Sequence, residues 1–177
     1  MRSSSGSPKK SGVSGLTGTG AIQVPVLKDL VLLGGGHSHI AVLKSFGMRP
    51  LPGVRVTLIS RGSRSPYSGM LPGIVAGHYT EDDAHFDLVR LARFAGARFF
   101  RGEVVGLDLV HRRVELENRP DVSFDVLSID TGSTPSLPEH RDDGLIAVKP
   151  IDGFLSQWRQ VCQSLGVKKL GNSGDVI

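Results

Sequence analysis

The stretch VLLGGGHSHIAVL (31–43) constrains this chain more than any other. The fully apolar run from Leu30 to Leu33 suits a short strand buried on both faces, as a parallel sheet requires. It enters three glycines and leaves as a helix expected from Ile40 to Phe46, with Gly47 as its stop. Leu51-Pro52-Gly53 then makes a turn, and VRVTLIS (54–60) supplies a second β-rich strand. Strand, glycine turn, helix and strand follow one another within about 30 residues, the size of one βαβ unit.

Such a turn is a phosphate-binding device. Gly34 permits the tight bend, and Gly36 lets the backbone approach a diphosphate with no Cβ in the way. A helix starting near His37 offers unpaired N–H groups and a positive dipole end. The sixth place of the pattern normally takes a small residue so that helix and sheet pack closely, and here it holds His39. The phosphate half of the fingerprint is present and the packing half is altered. A structural turn with no ligand is the rival reading.

The end of the second strand bears on which nucleotide fits. A carboxylate there would receive ribose hydroxyls, but Ser60-Arg61 stands in its place, with Arg64 just beyond. Two arginines could pair with a 2′-phosphate, which would make the chain a direct NADP(H) binder. His37 and His39 lie two apart, but a metal would need a third ligand and would compete with phosphate for the same loop. The expectation is that one imidazole donates to phosphate or backbone while the other packs against the sheet. His78, His85, His111 and His140 show no ligand spacing, and nothing in the order of residues suggests hydrolytic chemistry.

Residues 1–25 form an expected flexible leader, rich in Ser, Gly and Thr. The loop RGSRSPYSGMLPGIVAGHY (61–79) is long and broken by Pro and Gly. Thr80 with Asp83 resembles a capping box ahead of a helix lined by Leu88, Leu91, Ala92 and Ala95, ended by Gly96. ARFF (97–100) reads as a strand. EVVGLDLV (103–110), HRRVELEN (111–118) and SFDVLSID (123–130) read as three more, with an antiparallel meander appended to the parallel sheet. Phe154, Trp158, Val161 and Leu165 recur at helical spacing, and no element is evident in VKKLGNSGDVI (167–177). The fold class is therefore α/β: a Rossmann-like parallel sheet with helices on both faces and a small antiparallel meander.

Composition narrows the partners. The net charge of +4 raises nucleic acid as a ligand, but Arg2, Lys9 and Lys10 supply much of the excess and aromatics are only 6%. No nucleic-acid partner is expected. No apolar run approaches the roughly 20 residues of a membrane span. A single cysteine, Cys162, rules out an intrachain disulfide and a CxxC pair, and its apolar neighbours suit buried filler. The location reads as cytoplasmic or organellar, since the Ser-rich leader shares its composition with transit peptides.

Four blocks in fixed order, LVLLGGGHSHIAVL (30–43), VTLISRGSRSPYSGMLPGIVAGHY (56–79), FDVLSIDTGSTP (124–135) and VKPI (148–151), resemble the FAD-dependent pyridine nucleotide-disulfide oxidoreductase superfamily. The GGGHSH and PYSGMLPG segments resemble its NADH-dehydrogenase-like branch, found fused to selenide, water dikinase. That resemblance implies a flavoprotein that passes hydride from NAD(P)H to FAD and on to a quinone-like or other acceptor. Histidine is tolerated in that branch at the place of His39. The resemblance assigns Gly34, Gly35, Gly36 and Ser38 to the FAD pyrophosphate, with His37 and His39 in the same turn. Ser60 and Arg61 would lie near the adenosine ribose, the Val104 backbone near adenine, and Thr131, Gly132 and Ser133 at the turn returning to the flavin domain. Asp130 stands where alanine is commoner. Residues 66–72 would border the flavin ring or the acceptor site.

Two departures qualify this. The redox cysteine pair of the disulfide reductases is absent from the loop after the second strand, so thiol chemistry is not expected. The second glycine fingerprint, which would hold NAD(P)H, is replaced by VKKLGNSGDVI. The expected organisation is a first segment of the FAD-binding domain over 26–150 and a helix and tail over 151–177 leading toward a missing NAD(P)H domain. A truncated, non-catalytic nucleotide-binding module is the alternative, and a homo-oligomer is an open option.

Overall fold

A computed structural model of the chain describes residues 25–133 and 146–166. Residues 1–24 of the expected leader, residues 134–145 with His140, and the tail from 167 lie outside the described residues.

In chain order the elements are β1 (Lys28–Leu33), α1 (His37–Met48), β2 (Val54–Ser60), β3 (Arg64–Pro66), a single tight helical turn (Ser68–Met70), α2 (Leu71–Val75), β4 (His85–Asp87), α3 (Leu88–Phe94), β5 (Arg98–Arg101), β6 (Val104–Asp108), β7 (Arg113–Leu116), β8 (Val122–Ser123), β9 (Val126–Ile129) and α4 (Ile151–Ser164). Four strands form a parallel sheet in the order β5-β2-β1-β9. From β1 the chain therefore goes to one side through α1 and returns much later to the other side as β9. That reversal opens a crevice at the carboxyl ends of the strands, where ligands of open α/β sheets bind. Leu33 lies level with Ile59 on one neighbour and Ile129 on the other, so Gly34, Ser60 and Asp130 emerge side by side.

The two faces of the sheet are covered differently. Leu32, Val56 and Leu58 alternate onto one face and bury against Leu43 of α1 and Leu88 of α3. Val31, Leu33 and Ile59 face the other way and meet Val114 and Leu116 of β7 and Val122 of β8. Each fully buried aliphatic side chain contributes roughly 1.5–3 kcal/mol. The expectation of helices on both faces is corrected here: the second face is roofed by the antiparallel sheet β6-β7-β8. The strict alternation of Val114 and Leu116 inward suits that roof, which has one core face and one open face.

Three local readings also change. Gly47 is not the stop of α1 but lies within it, where a Cβ would run into the Phe94 ring of α3. Thr80 and Asp83 do exchange capping-box hydrogen bonds, the Thr80 amide and hydroxyl donating to the Asp83 carboxylate at 3.0 and 2.6 Å. They close a turn, however, and the cap of α3 is Asp87, which accepts from the Arg90 amide at 2.9 Å. The long connection after β2 contains β3 and α2, and β3 pairs with β4 as a two-stranded antiparallel ribbon.

At the far end of the sheet Asp125 fastens β9 to β1. Its carboxylate accepts from the Asp29 amide at 2.8 Å and from Lys28 Nζ at 3.2 Å. The Asp29 amide first, then the Lys28 ammonium, hold this carboxyl below the ordinary aspartate range. A depressed folded value means that the contribution is complete above the unfolded pKa and is lost as pH falls through the folded one. Asp125→Asn should therefore be less stable than the parent at neutral pH, with the gap closing in acid. Urea midpoints across pH check this, and a gap independent of pH would refute the assignment.

Candidate functional site

The crevice is a cleft of about 1070 Å³. Its floor is the turn after β1, its sides are the ends of β2, β6 and β9, and its far wall comes from the β3–β4 insertion and the start of α4. It brings together Gly34, Gly35, Gly36, His37, Ser60, Arg61, Val104, Thr131, Gly132 and Ser133. Ser38 and His39 do not line it.

Gly34 has φ +93°, a conformation that glycine adopts freely. A Cβ there would fall 2.6 Å from the Asp130 carbonyl carbon and 2.8 Å from the Thr131 Cα. The turn is thus pressed against the exit of β9. The Gly34 amide donates to the Ile59 carbonyl at 2.8 Å, and the Asp130 amide donates to the Leu33 carbonyl at 2.8 Å. Gly36 is glycine for a related reason, because the Asp130 carboxylate lies where its Cβ would project. The expected purpose, open approach to a diphosphate, is corrected to that extent: the space beside Gly36 holds a side chain of the protein.

His39 resolves the departure in the fingerprint. Its ring is buried, with one nitrogen 2.7 Å from the Gly34 carbonyl and the other 2.9 Å from the Ser128 hydroxyl. The carbonyl can only accept, so Nδ1 carries the proton, and in the neutral ring Nε2 accepts from Ser128. A small residue in β9 makes room for a large one in α1. The imidazole sits behind the turn as a brace and does not line the cleft, which leaves the backbone amide as the part of residue 39 at the mouth of α1. His37 goes elsewhere, stacking on Tyr67 with centroids 5.0 Å apart and lying 6.4 Å from Phe86. These rings tie the mouth of α1 to the insertion wall.

Three side chains at the cleft, Glu103, Lys149 and Asp130, have no role legible in the sequence. Glu103 lies beside Ser60, with an oxygen 3.8 Å from Arg61 Nε, and puts a carboxylate near the place where one was missing from β2. Arg64, the second arginine expected to pair with a 2′-phosphate, is instead engaged by Asp82 at 2.7 Å. Lys149 reaches the Ser133 hydroxyl at 3.1 Å across the rim. The third is Asp130, whose carboxylate accepts from the Ser38 amide at 2.9 Å and the His39 amide at 3.4 Å. It caps α1, which has no side-chain cap of its own at Gly36. Glu103 has no motif to betray it, and Asp130 stands out in sequence only as the residue in place of a commoner alanine; the return of distant strands to the same rim places them there. Among the described residues no group of three His, Cys, Asp or Glu could hold a metal ion.

No family model and no curated protein matches the sequence. Solved structures do match the fold. The sulfide:quinone oxidoreductase of Aquifex aeolicus superposes with a TM-score of 0.64 at 19% identity, covering 79% of this chain and 33% of that one. A ferredoxin reductase from Rhodopseudomonas palustris gives 0.63 at 17%, covering 77% and 35%. The NADH:rubredoxin oxidoreductase of Clostridium acetobutylicum gives 0.60 at 16%, covering 78% and 36%. The chain shares the Rossmann-like α/β fold of these oxidoreductases and spans about a third of the length of each. No helix among the described residues is long and apolar enough to cross a membrane.

Proposed function

We propose that this chain is the FAD-binding portion of a NAD(P)H-dependent flavin oxidoreductase of the pyridine nucleotide-disulfide type. The observation that carries the reading is the mouth of α1 opening into a large cleft at the topological switch point of a parallel sheet. Residues 26–150 would be the first segment of the FAD domain, and 151–177 would lead toward the nicotinamide half. The NADH-dehydrogenase-like branch found with selenide, water dikinase belongs to the proposal, as do the quinone-like acceptor and the assembly state.

The residues present fit the adenosine diphosphate part of FAD in outline. The backbone of the Gly34–Gly36 turn, through the Gly35 amide, and the Ser38 amide now given to Asp130 would face the diphosphate, Ser60, Arg61 and Glu103 the ribose, and the Val104 backbone the adenine. Thr131, Gly132 and Ser133 border the opposite rim. When bound, the flavin supplies hydride acceptance and onward electron transfer, while the protein positions it. A carboxylate at the ribose favours free hydroxyls over a 2′-phosphate, which would have to displace Glu103 from Arg61 and Asp82 from Arg64.

Fluorescence titration of FAD and ADP tests the reading. Both should bind, and riboflavin, which lacks the diphosphate, should bind at least tenfold more weakly. The double variant Arg61→Ala/Arg64→Ala should lose NADPH and NADH affinity alike. Uptake of neither FAD nor ADP would refute the flavoprotein reading, while a tenfold loss confined to NADPH would favour direct NADP(H) binding.

A further inference from the structure

We propose that Asp130 is a resident competitor for the diphosphate seat, holding the mouth of α1 closed to anions until its side chain turns aside. The inference rests on the reading of that mouth as the diphosphate site. The helix has one anion already: the Asp130 carboxylate takes the Ser38 amide at 2.9 Å and the His39 amide at 3.4 Å, against the α-carbon of Gly36. A diphosphate would need the same amides, and two anions at one set of donors repel as well as exclude one another.

The backbone cannot make way. The Asp130 amide donates to Leu33 at 2.8 Å and its carbonyl accepts from Gly36 at 3.1 Å, so both sides of the residue are fixed to the turn. Release must come from rotation of the side chain alone. The cleft gives the carboxylate somewhere to go, since Asp130 lines it and is half-buried. Among the described residues no cation pairs with this carboxylate to compensate its charge or to hold it aside. The ligand's apparent affinity is then lowered in proportion to the fraction of molecules with the carboxylate turned away. By this account residue 130 sets how tightly the site holds its nucleotide, through occupancy and charge together.

The experiment compares the parent with Asp130→Asn and Asp130→Ala. Asparagine keeps the shape and one acceptor without the charge, and alanine empties the seat. Inorganic pyrophosphate is titrated against each while the amide resonances of Ser38 and His39 are followed, and FAD binding is measured in parallel. Pyrophosphate should bind Asp130→Ala at least tenfold more tightly than the parent, with Asp130→Asn between them. Equal or weaker pyrophosphate binding by Asp130→Ala overturns the proposal, and a lower melting temperature beside weaker binding would mark Asp130 as a structural cap. If pyrophosphate tightens as expected while FAD binds no variant, the competition stands and the flavoprotein reading falls. FAD binding equally to all three has the reverse meaning.

Discussion

Gly34→Ala should cost about 2–5 kcal/mol, a large share of the 5–15 kcal/mol of a typical domain. Two effects add. An alanine held at φ +93° is strained by roughly 1–2 kcal/mol. Its methyl would also enter the backbone of Asp130 and Thr131, which the hydrogen bonds from Asp130 to Leu33 and from Gly36 to Asp130 prevent from retreating. Moving that backbone means parting β9 from β1 at the rim. Gly132→Ala is the matched control, because Gly132 also has a left-handed φ, +81°, but has nothing within 4 Å of the added carbon. It should show the strain alone. Urea denaturation of the two variants separates the terms, and equal losses would show that the press of β9 on the turn is unimportant.

His39→Ala should destabilise by about 2–4 kcal/mol, the range for emptying a large buried site and leaving polar partners without a bond. The ring bridges α1 to both strands that flank the switch point, through the Gly34 carbonyl and the Ser128 hydroxyl. Ser128→Ala should cost less, because it removes one of those bonds and leaves the ring in place. The two substitutions should be non-additive, with a coupling of about 0.5–3 kcal/mol in a double-mutant cycle. A coupling near zero would mean that the hydroxyl and the imidazole do not sense each other. Since the ring lies behind the turn, the folded variant should still bind whatever the parent binds.

The two variants mark the division between what the chain displays in its order of residues and what only folding reveals. The limits of β2, 54–60, were legible because a β-rich run stands between a Leu-Pro-Gly turn and a glycine-broken loop. The start of the glycine turn was legible for the same reason. The stop of α1 is not legible because a glycine that accommodates a neighbouring ring looks, in sequence, like a glycine that ends a helix. Thr80 and Asp83 have the chemistry of a cap without being one, since reciprocal hydrogen bonds close turns as readily as they start helices. The elements within 61–79 are too short for any period to register. At the site, the backbone turn was visible, but Glu103 and Asp130 lie far along the chain from the β1 turn. Their meeting depends on strand order, which no local pattern encodes.

The ribbon that roofs one side of the sheet carries a mechanical consequence. Val104, at the lip of the cleft, and Val114, sealed beneath the strands, lie on paired neighbours of that single ribbon. Loosening the hydrophobic seal below therefore slackens the edge of the cleft above. Core substitutions under these strands should loosen the rim and lower stability in step.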